Sequence, residues 1–201
     1  MKHHDIFQLK RGASPLVISI PHLGTIIPDD IIGSYNDEAL QVADTDWYLD
    51  RIYAFASDLG ATVIAANISR YVVDLNRPAT GESLYPGMVT TSLCPLETFR
   101  GDELYRSGFT PDSQDVQRRI DTYWRPYHEA LQQELARLRG RYANVLLWEA
   151  HSIASVLPRL FSGKLPDFNF GTSDGESCNE QVIASAIHPV RNTNISSVVS
   201  G

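Results

Sequence analysis

Two histidines follow apolar runs in comparable places. His22 closes SPLVISIPH (14–22), and His151 lies near the end of ANVLLWEAHS (143–152). A neutral imidazole can hold a metal, and two histidines with one carboxylate make a common hydrolytic zinc site that leaves a position for water. A carboxylate is at hand in DTD, where Asp44 or Asp46 opens a helical stretch. The competing reading is that each histidine caps its strand or bonds backbone. Glu149 stands two residues before His151, so on a strand both face one side. It can orient His151, carry a proton, or be a buried acid paired with an arginine. A third run, YVVDLNRPATG (71–81), delivers Asp74, Asn76 and Arg77, with Arg70 just before it. Arg77 can grip a carboxylate through parallel N–H donors, and Asn76 adds an amide. Asp74 reads as the structural partner of an arginine.

Three apolar runs that each end in reactive side chains need a scaffold that brings those ends together. In open α/β sheets, ligands sit outside the carboxyl ends of the strands. The run at 14–22 is rich in β-branched residues and predicts a buried strand. DTDWYLDRIYAFASDLG (44–60) predicts an amphipathic helix with Asp44 as N-cap, an apolar face of Trp47, Ile52, Phe55 and Leu59, and a stop at Gly60. Residues 61–76 predict one or two strands kinked near Asn67 and Ser69. A long irregular stretch over 78–109 is expected to cover a site. Residues 110–142 carry the strongest helical stripe: Ile120, Tyr123, Trp124, Tyr127, Leu131, Leu135 and Leu138. Pro126 is expected to kink or split that helix, and His128 to serve packing or surface. Residues 143–152 predict another buried strand, 157–177 a second covering loop, and CNEQVIASAIHPV a last helix. Strands alternating with helices argue an α/β fold: three-layer α/β/α with a mixed, largely parallel sheet.

The chain has 201 residues, 43% hydrophobic and 20% charged, which suits one globular domain. Its formal charge of −7 disfavours nucleic acid or an anionic membrane as partner. A local arginine cluster can still hold a small anion. Cys94 and Cys178, the two cysteines, form no Cys-x-x-Cys pair and read as reduced thiols. MKHHDIFQLKRG has no apolar signal core, and no stretch is long enough to span a bilayer, so the expected compartment is the cytoplasm. Glycine-rich phosphate loops, dinucleotide fingerprints and a G-x-S-x-G elbow are absent from the sequence.

Taken in order, SIPHLGTIIP, ADTDWYLDRIY, SRYVVDLNRP, LYPG, LCPLETF, YWRPYHEAL, WEAHSI and PRLFSGKLPDFNFGTSDGESC resemble the N-formylglutamate amidohydrolase family. The resemblance runs from about Ser14 to Cys178. It implies a zinc-exopeptidase-like fold and hydrolysis of N-formyl-L-glutamate to formate and glutamate in histidine breakdown. It implies a divalent metal, zinc or alternatively cobalt, on His22, Asp46 and His151. Asn76 and Arg77 are similar to the Asn-Arg pair with which metallocarboxypeptidases grip a substrate carboxylate, and Arg70 would help with the second carboxylate. Glu149 is the candidate proton carrier, although the family usually has aspartate there. The family continues past Gly201 to a further acidic residue, so the resemblance implies one amidohydrolase domain over 1–201 lacking its C-terminal strands. The alternatives are a remnant that binds an acidic amino acid without turnover, and an amidase on another N-acyl amino acid or a peptidoglycan fragment.

Overall fold

Strand β2 (Leu16–Ile20) is the centre of the architecture. Its apolar run buries both faces: Val17 belongs to one core, Ile18 and Ile20 to the other. That continuous burial is what a central parallel strand requires. β2 pairs in parallel with β3 (Thr62–Ala66) on one side and with β4 (Leu146–Glu149) on the other. A short strand, β1 (Phe7–Lys10), runs antiparallel to β3 and gives the order β1-β3-β2-β4. The sheet is therefore mixed and largely parallel, as expected. β1 has only four residues and little periodicity, so the sequence carries no signal for it.

The computed structural model describes residues 6–81 and 91–200. The LYPG stretch and the middle of the 78–109 loop lie outside the described residues. The chain forms two compact units, Met1–Ile153 and Ala154–Gly201. Among the described residues, no helix is long and apolar enough to cross a membrane.

In the first unit, α1 (Asp29–Ile32) and α2 (Leu49–Ile52) are single turns. The long helix is three pieces in series: α3 (Ser113–Arg119), a π-helical turn (Ile120–Trp124) and α4 (Arg125–Arg139). Asp112 caps its start by accepting from Asp115 N–H at 2.9 Å. Tyr123, Tyr127, Leu131 and Leu138 bury the predicted stripe in the main core with Val17 and Ile64. The expected interruption appears as the π turn just before Pro126, which itself sits near the start of α4.

Several expectations fail in this unit. Residues 44–60 do not form one amphipathic helix. They give α2 and a 3₁₀ turn, Ala54–Ser57. Trp47, Ile52, Phe55 and Leu59 are 45%, 57%, 50% and 53% exposed rather than buried. Tertiary hydrogen bonds override local propensity here. Asp46 N–H donates to His22 O at 2.9 Å, and the Asp44 carboxylate accepts from Phe99 N–H at 2.7 Å instead of capping a helix. Gly60 still ends the segment, at φ +63. The second failure is β4, whose apolar run predicts burial. It is the edge strand, with Leu146 and Leu147 exposed.

In the second unit, β5 (Phe168–Gly171) pairs in parallel with β6 (Ser197–Ser200). α5 (Glu180–Arg191) is the expected last helix, capped by the Asn179 side chain accepting from Val182 N–H at 3.0 Å. β5 lies inside the stretch that reads as a covering loop.

Candidate metal centre and anion turn

His22 leaves β2 through Pro21 into a turn whose return path is tightly defined. Beyond it, Gly24 and Ile26 bridge in parallel to Ser69 and Ile68. A Cβ on Gly24 would sit 2.3 Å from Ile68 O, so only glycine lets the two backbones meet. That contact sets His22 beside the segment after β3. Residues 70–76 are not a strand end, as expected, but a buried turn in which Tyr71, Val72, Val73 and Leu75 anchor the backbone. The apolar positions hold, while the polar ones turn toward His22.

Asp74 is the hub. It is 1% exposed and its carboxylate accepts four hydrogen bonds. They come from His22 Nε2 at 2.7 Å, Arg70 Nη2 at 2.7 Å, Asn76 N–H at 2.9 Å and Thr91 Oγ1 at 3.4 Å. Because a carboxylate only accepts, His22 carries its proton on Nε2 and turns an Nδ1 lone pair the other way. That lone pair lies 3.4 Å from Arg70 Nη1 and 3.7 Å from Asp46 Oδ2. Burial opposes ionisation of Asp74, but its close contacts with His22 and Arg70 outweigh that and hold the carboxyl far below the usual range. The sequence reading has Asp74 brace Arg77, whereas the structure pairs it with Arg70, and the grip on His22 does not appear in that reading.

His151 approaches from the end of β4. Its Nδ1 is 3.0 Å from Asp46 Oδ2, and its Nε2 is 3.1 Å from the Asn76 side-chain amide and 3.4 Å from Glu149 Oε1. The rings of His22 and His151 are 4.9 Å apart. His22, Asp46 and His151 each offer a ligand atom, all within 4.8 Å of one another. Asp46, not Asp44, joins them. The donor set is two imidazole nitrogens and a carboxylate, each imidazole held from behind by a polar partner. That is the chemistry of a hydrolytic metal centre with its supporting shell, so the residues fit a divalent metal.

Burial favours the neutral form of Asp46, yet its hydrogen bond with His151 and the nearby His22 hold it at about 2. Burial likewise disfavours charge on His151, but Asp46 and Glu149 raise it to about 9. A metal must displace that proton. Zinc binding at pH 7 is therefore expected to release about one proton, with affinity rising about tenfold per pH unit until about pH 9 and then levelling. In the metal-free chain the sign is opposite. The His151 contribution to stability is complete below its unfolded value and is lost as pH rises through about 9. Calorimetry in buffers of different ionisation enthalpy reads the proton release. Zinc affinity independent of pH between 6.5 and 9 refutes it.

The remaining residues lie close by. Arg70 is buried, clamped by Asp74, with its guanidinium 4.5 Å over the Phe99 ring. Arg77 is half-buried and loosely held, with Nε 3.3 Å from Thr91 O and Nη2 3.5 Å from Thr91 Oγ1. Asn76, Arg77 and Glu149 line a cleft of about 230 Å³ with Trp124, His128 and Leu131. A wider cavity of about 540 Å³, bordered by Asp30, Phe109 and Arg118, contains none of the candidate residues. The sequence reading makes Asp74 a structural partner of an arginine, Trp124 part of the apolar helix stripe and His128 a packing or surface residue, and assigns none of the three to the site. The one signal for Asp74 is its place two residues before Asn76.

A model of the family described as N-formylglutamate amidohydrolase matches residues 14–200. The chain is 46% identical over 174 residues to an N-formylglutamate deformylase of Pseudomonas putida, covering 87% of this chain and 65% of that one. It is likewise 46% identical over 180 residues to an N-formylglutamate deformylase of Pseudomonas aeruginosa, covering 90% and 67%. The chain thus spans about two thirds of the length of these relatives. A crystal structure of N-formylglutamate amidohydrolase from Ralstonia eutropha JMP134 superposes with a TM-score of 0.73 at 26% identity, over 97% of this chain and 76% of that one. A gene product of Agrobacterium tumefaciens shares the fold at a TM-score of 0.75 and 16% identity, over 98% and 73%. With a family match across nearly its whole length and these relatives beside it, the chain belongs to the N-formylglutamate amidohydrolase family.

Proposed function

We propose that the chain hydrolyses the formyl amide of N-formyl-L-glutamate, releasing formate and L-glutamate, with zinc as the metal and cobalt as a workable substitute. One observation carries this reading: two imidazoles and a carboxylate converge within 4.8 Å, next to an Asn-Arg turn, in a chain 46% identical to N-formylglutamate deformylases. A divalent metal on His22, Asp46 and His151 would supply a Lewis acid and an activated water.

The chain's own residues do the rest. Asp74 keeps the proton on His22 Nε2, so Nδ1 stays available. Asp46, held ionised, supplies negative charge between the two imidazoles. Glu149, exposed at the cleft and 3.4 Å from His151 Nε2, takes a proton from the attacking water and returns it to the departing amine. Arg77 and Asn76 bind one substrate carboxylate. Arg70, with its Nη2 committed to Asp74, adds positive charge for the second. Neutral N-formyl compounds offer Arg77 no carboxylate to bind and are expected to be poorer substrates.

The test is metal analysis followed by a formate-release assay. Bound or added zinc or cobalt together with formate release from N-formylglutamate is the expected result. Absence of both, with zinc and cobalt supplied, overturns the proposal. A finer check is Arg77→Lys. It keeps the charge but loses the two-pronged grip, so KM is expected to rise about tenfold with kcat little changed. Equal loss in kcat, or none in KM, removes Arg77 from substrate binding.

A further inference from the structure

Pro126 has no amide proton, so the long helix cannot complete its usual ladder around it. The turn just before it is π-helical, with Arg125 N–H reaching back to Ile120 O. Such a turn adds a residue and re-aims the side chains around it, and it is frequent at functional sites. Here it accompanies a specific arrangement. Trp124 and His128 stack with ring centroids 3.8 Å apart and planes at 26°. Both rings direct an N–H at the same turn. Trp124 Nε1 donates to Arg77 O at 2.8 Å, and His128 Nε2 donates to Leu75 O at 2.9 Å. Those carbonyls flank Asn76, whose amide is 3.1 Å from His151. The indole is only ever a donor, and the imidazole must carry its proton on Nε2 to meet a carbonyl. Burial pushes the His128 pKa down, which favours that neutral, single-donor form.

We infer that Trp124 and His128 are positioning residues: they clamp the Leu75–Asn76–Arg77 turn and shape the adjoining cleft as the subsite for the amino-acid portion of an N-acyl acidic amino acid. The inference rests on the reading of Asn76 and Arg77 as carboxylate-binding groups. The cleft, at about 230 Å³, is smaller than pockets for drug-sized ligands and suits one amino-acid moiety. Among the described residues, Arg77's guanidinium makes its hydrogen bonds as long contacts to Thr91, so its aim depends on the backbone the two rings hold. Displacement of a binding group by a fraction of an ångström is enough to weaken substrate positioning.

Trp124→Phe and His128→Phe retain aromatic rings and remove the donors. In zinc-loaded protein, the double variant is expected to raise KM for N-formylglutamate about tenfold or more, with kcat within about threefold and zinc affinity unchanged. His128→Gln, which still offers an N–H, is expected to recover most of the loss caused by His128→Phe. If the double variant does not fold, the two single variants and the glutamine rescue decide the question by the same KM and kcat readouts. Equal losses in kcat and zinc affinity without rescue, or an unchanged KM, overturn the inference alone. A parent protein that holds zinc but neither binds nor hydrolyses N-formylglutamate overturns the reading of Asn76 and Arg77, and the clamp's role falls with it.

Discussion

Replacing His22 by alanine is expected to lower zinc affinity by about a thousandfold or more and to reduce formate release to background. Three protein groups are the minimum that hydrolytic zinc sites use, and even a partner one shell further out is worth about 10–100-fold in affinity. His22 is also the least replaceable of the three. It is buried, with Nε2 committed to Asp74 and Nδ1 3.7 Å from Asp46. No other histidine lies within reach of Asp46 besides His151 among the described residues. The fold should survive, since Asp74 keeps Arg70, Asn76 N–H and Thr91 as donors. Competition with a chromophoric chelator measures the affinity, and circular dichroism verifies the fold. Zinc bound as tightly by His22→Ala as by the parent chain rules out this metal centre, however well the family matches.

Asp74→Ala is expected to have the largest effect on stability. It strands the Arg70 guanidinium, which is buried and has that carboxylate as its ion-pair partner. Removing one member of a buried pair costs about 3–5 kcal/mol. For a chain this size that lowers Tm by about 10 °C. The effect has a defined pH window. The folded carboxyl sits below its unfolded value, so its stabilisation is complete above the unfolded carboxylate range and is lost as pH falls through the lower, folded value. At pH 7 it is fully present. Asp74→Asn separates the two duties of this side chain. An amide keeps the shape and one acceptor but loses the charge, so it retains more stability than alanine. Zinc affinity is still expected to drop about 10–100-fold, because His22 is no longer held in one tautomer. Thermal unfolding of the metal-free variants and zinc titration of the folded ones provide the readouts. An Asp74→Asn protein with parental zinc affinity would reduce Asp74 to the structural partner of Arg70.

Much of this site was legible in the residues alone. Apolar runs with β-branched residues specify β2 and β3, and parallel strands deliver the residues after them to one edge of the sheet. That logic brought His22, His151 and the Asn76–Arg77 turn to one neighbourhood without coordinates. The long helix was equally plain, because its stripe persists over many turns and tertiary packing reinforces it. Residues 44–60 were legible only in composition. Their helical spacing is real, but two tertiary hydrogen bonds, Asp46 N–H to His22 O and Phe99 N–H to the Asp44 carboxylate, hold the chain in another path. Contacts between residues so far apart in sequence carry no local signature.

The sequence by itself determined which elements form at the centre of the sheet and which side chains could do chemistry at its edge, because periodicity and residue type are local properties. Only the tertiary structure decided that Asp46 rather than Asp44 faces the two imidazoles, that Asp74 grips His22 as well as Arg70, and that Trp124 and His128 hold the turn bearing Asn76 and Arg77. Each of those depends on which donor meets which acceptor across tens of residues, a matter of ångströms that no spacing along the chain encodes.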